Sequence, residues 1–372
     1  MSMMEEINCS VENIHSAEET VAYLWDDLAQ VIIKFIIPLV TLIGLLGNGT
    51  FIFVYCRNHT MRTTTNIYLI NLAIADLSLL VIGTFQYLWT YISSPIYIYD
   101  FAFSSSFGCA FPNFVVYLTY FTSVFLVTIV MIERYLAICK PPQHYEVKGK
   151  TRALKLTSMA WIMSGIIAAF RYPHWPEKHC LQWPDEHRFS GYPKTIDFCS
   201  GKSDWSFQVV FYADIAQYIV AVTIVTFACI GIIRQLKRRS AEMFSEESRR
   251  IQVSHDRNRI ARMLIINVII FFVCLTPFEL LNIDGVFKEI SGYYFVPYEG
   301  SELIAWIGRL TMQINSACNP IVYSIIHVRY RKAFLEAWRC QLICGEKVKK
   351  LRPRNSQTSI SRFSTLHAED TM

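Results

Sequence analysis

The sequence predicts an all-α membrane protein: a bundle of seven transmembrane helices followed by a short amphipathic helix on the inner leaflet. Composition, run length and the placement of charge predict it. Of 372 residues, 53% are hydrophobic, 14% aromatic and only 17% charged, a balance unsuited to a water-facing surface. The apolar residues form seven weakly charged stretches, 31 to 56, 66 to 92, 107 to 139, 153 to 173, 205 to 233, 260 to 284 and 302 to 326. About 20 residues of helix cross roughly 30 Å of hydrocarbon, so each stretch is long enough to span. These runs exclude a soluble enzyme, a secreted miniprotein and a disordered tail protein. The net charge of +5 points to no nucleic acid, because where the charges lie matters more than their sum.

Sidedness follows from lysine and arginine, which are retained in short cytoplasmic loops. Residues 1 to 30 carry seven acids and no Lys or Arg, so this tail is expected outside. Alternate connections are basic: Arg57 and Arg62 in the first, then Lys140, Lys148, Lys150, Arg152 and Lys155 in the second. The third, 234 to 262, holds nine basic residues against four acids, and the stretch from 328 onward ten against four. An odd number of spans with the amino end outside puts the carboxyl end in the cytoplasm of a multi-pass plasma-membrane protein. Residues 1 to 30 lack a basic head followed by an apolar stretch, so no cleavable signal is expected and the first span serves as the address.

The chain divides into an extracellular acidic tail (1–30), a transmembrane domain (31–326), an amphipathic juxtamembrane helix (327–344) and a disordered cytoplasmic tail (345–372). Three Asn-X-Ser/Thr sequons occur. Those at Asn48 and Asn58 fall in a span or on the inner side, which leaves Asn8 as the expected glycosylation site. Cys9, Cys109, Cys180 and Cys199 are external, where disulfides persist, and four cysteines allow three pairings. Cys56, Cys139, Cys229, Cys274 and Cys318 lie in or beside spans as small apolar filler. Cys340 and Cys344 follow a basic amphipathic stretch, Arg329 to Arg339, and are candidates for palmitoylation.

Charge within hydrocarbon is costly and needs a purpose. Asp76, Asp214, Glu279 and Arg309 fall inside spans, and Glu133 and Arg134 near an inner end. Asp76 cannot bend its short side chain to water, so it must be neutralised, hydrated or paired with a cation. Glu133-Arg134 sets an acid beside a guanidinium, and a local ion pair between them can hold the arginine at rest. Asn319-Pro320 removes a backbone donor within the seventh span, making a hinge that can swing Tyr323; Pro277 does the same in the sixth.

Along the seven spans stand, in order, Gly47-Asn48, Leu72 to Asp76, Cys109, Glu133-Arg134-Tyr135, Trp161, Cys274-Leu275-Thr276-Pro277 and Asn319-Pro320-Ile321-Val322-Tyr323. With these motifs the stretch from 31 to 340 resembles the rhodopsin-like (class A) G-protein-coupled receptors. The resemblance implies a receptor, not an enzyme, that acts on a heterotrimeric G protein. It implies coupling and switching through Glu133, Arg134, Tyr135, Phe271, Pro277, Asn319, Pro320 and Tyr323, with Arg134 donating to carbonyls of an inserted G-protein helix. It also implies an allosteric sodium pocket of Asp76, Asn48, Ser123, Asn315, Ser316 and Asn319, whose oxygens and carboxylate suit a hard cation; no other cofactor is expected.

The same resemblance implies a disulfide from Cys109 to the second outer loop, with Cys199 as partner and Cys180, otherwise placed to meet Cys9, as the alternative. Phosphorylation of Ser356, Thr358, Ser359, Ser361, Ser364, Thr365 and Thr371 would cluster negative charge for arrestin. This chain has Leu275, Ala221 and Cys229 where the family usually has Trp, Pro and Tyr. Activation is therefore expected to rely on Phe271 packing against Val124 and Ala221. Arg257 stands where the sixth span usually has its inner acid.

A retinal pigment needs a Schiff-base lysine where Gln313 stands, and an amine receptor needs a carboxylate where Val116 stands; neither is expected. The outer halves of the spans instead hold Gln86, Tyr87, Asn113, Tyr117, Glu279, Asn282, Arg309 and Gln313, under a loop with Trp175, Trp183 and Tyr192. Polar groups of both signs among aromatics suit a peptide. The run Met61 to Leu69, with Tyr117 and Arg309, resembles the receptors for thyrotropin-releasing hormone, neuromedin U and ghrelin. That likeness implies a neuropeptide ligand, Arg309 as donor to a peptide carbonyl, Tyr117 as a hydrogen-bonding aromatic, and calcium signalling through the Gq class. An Arg309–Glu279 pair inside the bundle is the competing arrangement.

A lipid or other non-peptide ligand is the alternative, and a transporter a further one, against which stands the lack of an inverted repeat or Gly-broken helix pair. No His-rich metal pattern or nucleophile motif points to a membrane enzyme. Lys237-Arg238-Arg239 and Arg249-Arg250 suit anionic membrane lipid and G-protein contacts.

Overall fold

The computed structural model describes residues 10–13, 24–93, 106–143, 149–170, 174–183, 192, 194–201, 204–242, 248–326 and 328–338. Asn8, Cys340, Cys344 and the serine- and threonine-rich tail lie outside the described residues, as do the side chains of Cys109, Cys180 and Cys199. Among the described residues the bundle consists of α1 (Asp27–Arg57), α2 (Thr64–Ser93), α3 (Ser106–Cys139), α4 (Lys150–Phe170), α5 (Asp204–Glu242), α6 (Ser248–Ser291) and α7 (Tyr298–Ile326). A shorter helix, α8 (Val328–Trp338), follows. The chain separates into a unit Met1–Phe334, which holds the bundle, and a unit Leu335–Met372, described only at the end of α8.

The helices run past the apolar stretches that mark them. α1 starts at Asp27 because the Asp26 carboxylate accepts the Ala29 N–H at 2.6 Å, capping the first turn. A π turn over Ile32–Ile36 ends two residues before Pro38, whose ring would crowd the carbonyl four residues back in a regular helix. α5 continues to Glu242 and α6 begins at Ser248, so most of the basic third inner connection is helical. Lysine, arginine and glutamate are good helix formers, which lets both helices extend beyond hydrocarbon.

By length and composition α1 to α6 each contain a segment able to cross a membrane. The more polar α7 carries Arg309, Gln313, Asn315, Ser316 and Asn319. The bundle is apolar outside and polar along its axis: Ile92 and Phe227 are 76% and 66% exposed, whereas Asp76 and Asn48 are each 1% exposed. That arrangement suits a surrounding of lipid. α3 touches α2, α4, α5 and α6, and α7 packs on α1, α2 and α6. α1 reaches α2 and α7 closely at Gly44, where a Cβ would fall 2.4 Å from Leu80 Cδ1 and 3.2 Å from the Ala317 Cα.

A small sheet joins the helices, an element that hydropathy does not mark. β1 (Ser10–Asn13) pairs in parallel with β2 (His174–Gln182), Ser10 opposite His179, and β2 pairs antiparallel with β3 (Thr195–Gly201), His174 opposite Gly201. β1 reaches only His179–Gln182 of β2. Pro176 therefore lies where β2 has one neighbour, and its missing N–H breaks no second ladder. β2 touches α3, so the sheet defines one end of the bundle.

Candidate ligand cavity and switch region

At mid-bundle, Asp76 of α2 accepts a hydrogen bond from Asn319 Nδ2 of α7 at 2.6 Å. Asn48 of α1 donates Nδ2 to the Ser316 carbonyl at 2.9 Å and to the Gly44 carbonyl at 3.1 Å. Ser316 lies four residues before Pro320, so its carbonyl has lost its helical donor, and the α1 side chain supplies one instead. Asn48 Oδ1 is buried without a hydrogen-bond partner, and Ser123, Asn315 and Ser316 are buried polar residues. A carboxylate, an amide oxygen with spare lone pairs and the Ser316 hydroxyl beside Asp76 fit a hard monovalent cation. Asp76, Asn48, Ser123, Asn315, Ser316 and Asn319 are the residues that would hold it. Among the described residues no group of three His, Cys, Asp or Glu comes together as a metal centre.

Toward the sheet end, α2, α3, α5, α6 and α7 turn polar side chains inward. Glu279, 1% exposed, accepts from the Tyr120 hydroxyl of α3. Asn282, one turn further along α6, donates Nδ2 to the buried Asp214 Oδ2 of α5 at 3.2 Å. Both carboxylates lie within electrostatic reach of Tyr120. Gln86 Nε2 lies 3.4 Å from Asn113 Oδ1. The Arg309 guanidinium sits over the Trp306 ring, 4.7 Å from its centre, a favourable cation–π placement. Tyr87 meets Trp306 edge-on at 6.3 Å and is within electrostatic reach of Arg309 and Tyr117. Tyr117 stacks on Phe121 at 6.3 Å. Gln313 fills the space over Gly83, where a Cβ would fall 2.7 Å from its Nε2, and its buried Oε1 has no hydrogen-bond partner.

At the opposite end the structure corrects one expectation. Glu133 makes its close ion pair with Arg152 of α4, Oε1 to Nη1 at 2.8 Å, while its neighbour Arg134, within electrostatic reach of it, donates Nη2 to the Thr65 hydroxyl of α2. Adjacent helical residues point about 100° apart, so the two side chains address different helices. The Tyr135 ring meets Phe227 at 5.5 Å and covers Gly231, where a Cβ would fall 2.6 Å from Cε2. Tyr323 is buried between Phe51 at 5.7 Å and Tyr330 at 5.8 Å. The Tyr330 hydroxyl donates to Asn66 Oδ1 at 2.5 Å, tying α8 to α2. Phe271, Val124 and Ala221 are all buried. Near Pro277, the Thr311 hydroxyl of α7 donates to the Cys274 carbonyl of α6 at 2.7 Å.

These networks lie within a segment, residues 47–323, that matches the profile of the seven-transmembrane receptors of the rhodopsin family. The chain belongs to this family. The receptor is 27% identical to somatostatin receptor type 2 of Sus scrofa over 337 residues, 88% of this chain and 82% of that one. It is 28% identical to neuromedin-U receptor 2 of Mus musculus over 335 residues, 86% of this chain and 79% of that one. The allatostatin-A receptor of Bombyx mori is 23% identical over 324 residues, 84% and 82% of the two chains. Membership makes the chain a multi-pass plasma-membrane receptor and not an enzyme.

Several partners escape motif reading. Tyr120 and Arg152 belong to no motif quoted from the sequence; each becomes visible through the acid it holds, Glu279 and Glu133. Asp214 carries a signal of its own, a carboxylate within a span, but its partner Asn282 is apparent only once α5 and α6 are packed. Trp306, the platform under Arg309, carries no mark in the sequence that sets it apart from the other aromatics of the spans.

Proposed function

We propose that the receptor binds a neuropeptide at the sheet end and responds by driving nucleotide exchange on a heterotrimeric G protein at the Arg134 end. The sheet end faces outside and the basic connections face the cytoplasm, in keeping with retention of positive charge. One observation carries the reading. α6 holds Glu279 and Asn282 on one side of Pro277 and Phe271 on the other, while α7 holds Arg309 and Gln313 on one side of Pro320 and Tyr323 on the other. A ligand that prefers one arrangement of the cavity therefore biases the same two hinged helices that carry the switch residues, which is the differential affinity a population shift requires.

A peptide suits the cavity because Asp214 and Glu279 accept from N–H groups while Arg309 donates a planar fork to a carbonyl. Gln86, Asn113, Tyr117, Asn282 and Gln313 complete the recognition set. Coupling through the Gq class, arrestin recruitment by the phosphorylated tail, palmitoylation of Cys340 and Cys344, glycosylation of Asn8, a Cys109–Cys199 bond and sodium at Asp76 complete the proposal.

A panel of neuropeptides on cells expressing the chain, reading calcium and cyclic AMP together, tests it. A calcium response to a peptide, with binding weakened by guanine nucleotide, is the expected result. Silence to every peptide at verified surface expression, with a response to lipids, would replace the peptide by a lipid ligand. Binding insensitive to guanine nucleotide would remove the G protein.

A further inference from the structure

A cavity of about 380 Å³ opens at the Arg134 end, between the first turn of α2, the last turns of α3 and the first residue of α4. Its wall includes Thr64, Thr65, Tyr68, Glu133, Arg134 and Lys150. The volume falls in the range of small-molecule sites, and the chemistry of the wall favours an anion. Arg134 and Lys150 bring two cationic groups. The acid among these residues, Glu133, is neutralised by Arg152 at 2.8 Å.

The first turn of α2 adds donors. Thr63 takes the Asn66 N–H on its hydroxyl at 3.3 Å and the Ile67 N–H on its carbonyl at 3.2 Å. The amides of Thr64 and Thr65 stay at the positive end of the helix, a natural place for a phosphate. Helix end and cations alone do not identify an occupant. Tyr68 does more: it is 1% exposed, lines the cavity beside the Glu133 carboxylate, and its buried hydroxyl has no partner at close hydrogen-bonding distance. The acceptor beside it, the Glu133 carboxylate, is turned to Arg152, so a ligand oxygen that enters the cavity can take the hydroxyl proton.

We infer that this cavity binds a phosphate monoester, carried either on a lipid headgroup of the adjoining leaflet or on a small soluble molecule. A monoester brings up to two charges and three terminal oxygens, enough to engage Arg134, Lys150 and the Tyr68 hydroxyl together. Bound there, the phosphate also holds Arg134 on the α2 side, where it already meets Thr65. The inference needs no agonist and no G protein, so it stands or falls separately from the proposed signalling function. Only its lipid arm rests on the proposed sidedness.

The test uses the purified full-length chain in phosphatidylcholine nanodiscs. Phosphatidic acid, phosphatidylserine and soluble glycerol phosphate are each titrated, and retained ligand is counted by native mass spectrometry. Lys150→Gln is expected to weaken monoester binding about tenfold, the loss of one charge-assisted contact. Tyr68→Phe keeps the ring that fills the core and is expected to weaken it about threefold. Lys155→Gln on α4, exposed and outside the cavity lining, is expected to leave it unchanged. Phosphatidic acid preferred over phosphatidylserine and sensitive to Lys150→Gln assigns the lipid source; the same sensitivity with glycerol phosphate alone assigns the soluble one. Equal retention of both lipids, indifferent to Lys150→Gln and Tyr68→Phe, is general attraction to basic surface and overturns the site, as does the absence of any binding.

Discussion

Asn48 of α1 donates its side-chain amide to the Ser316 carbonyl of α7 at 2.9 Å, the carbonyl that Pro320 leaves without a helical donor. A proline break in hydrocarbon exposes a carbonyl that no bulk water reaches, so a neighbouring helix has to satisfy it. Asn319, beside the proline, gives its own amide to Asp76 at 2.6 Å. The hinge of α7 is thus anchored to α1 through backbone and to α2 through a carboxylate, and motion at the hinge has to exchange these bonds rather than stretch them.

Removing that amide tests the anchor. Asn48→Ala leaves the Ser316 carbonyl buried and unsatisfied, at a cost of about 1–3 kcal/mol. Asn48→Asp keeps the shape but turns an acceptor toward an acceptor, and is expected to cost at least as much. Thermal unfolding of purified receptor in detergent measures both. A Tm equal to wild type in both variants would show that the hinge does not depend on Asn48.

Two glycines five residues apart on α1, Gly44 and Gly49, separate packing from propensity. Gly44→Ala places a methyl 2.4 Å from Leu80 Cδ1 and 3.2 Å from α7 backbone, and Leu80 is fully buried. Overpacking of this kind costs about 1–3 kcal/mol. Gly49→Ala meets nothing within 4 Å and is expected to be neutral or to gain up to about 1 kcal/mol of helix propensity. Tm and surface expression should rank Gly49→Ala at or above wild type and Gly44→Ala below it; the reverse order would contradict the close approach of α1 to α2 and α7.

Hydropathy locates the spans because lipid demands long apolar runs, yet it is blind to helix ends. α6 begins at Ser248, ahead of the apolar run from 260, since charged residues prolong a helix in water. α7 is legible chiefly through Asn319-Pro320 and Tyr323, because its interior polar residues dilute the apolar signal. The sheet was not legible: β1 pairs with a strand far along the chain, and neither strand alternates cleanly. The candidate cavity residues stand out as charges and amides within spans, but their partners do not. Glu279 is a conspicuous intramembrane acid, while Tyr120, which donates to it, is one aromatic among many.

The ion pair at the Arg134 end makes a separable prediction. A double-mutant cycle of Glu133→Gln with Arg152→Gln is expected to show a coupling of about 0.5–1 kcal/mol in thermal stability, modest because the Arg152 side chain is 36% exposed and screened by solvent. Glu133→Gln with Arg134→Gln should couple less. A larger coupling to Arg134 than to Arg152 would restore the local pair in place of the one between α3 and α4.

Sodium at Asp76 has a readout that needs no agonist. If the polar cluster around Asp76 holds the cation, the Tm of purified receptor is higher in sodium chloride than in choline chloride at equal ionic strength, by linkage of binding to the folded state. Sodium at a hundredfold its dissociation constant would add about 2.7 kcal/mol. Asp76→Asn removes the carboxylate and is expected to abolish the difference. A wild type indifferent to the choice of cation, or an Asp76→Asn variant that keeps the full effect, would separate the cluster from sodium.

Arg309 is the sharpest test of peptide recognition, because its stacking on Trp306 and its donor geometry respond differently to one substitution. Arg309→Lys keeps a positive charge able to lie over the Trp306 ring but loses the planar fork that addresses a carbonyl with two parallel N–H groups. For a peptide agonist found in the panel, potency is expected to fall about tenfold or more at matched surface expression, as for a lost charge-assisted hydrogen bond. Trp306→Leu removes the platform but not the fork, and should shift potency less while lowering Tm. Unchanged potency in Arg309→Lys would take Arg309 out of the recognition set and leave it a structural cation stacked against α7.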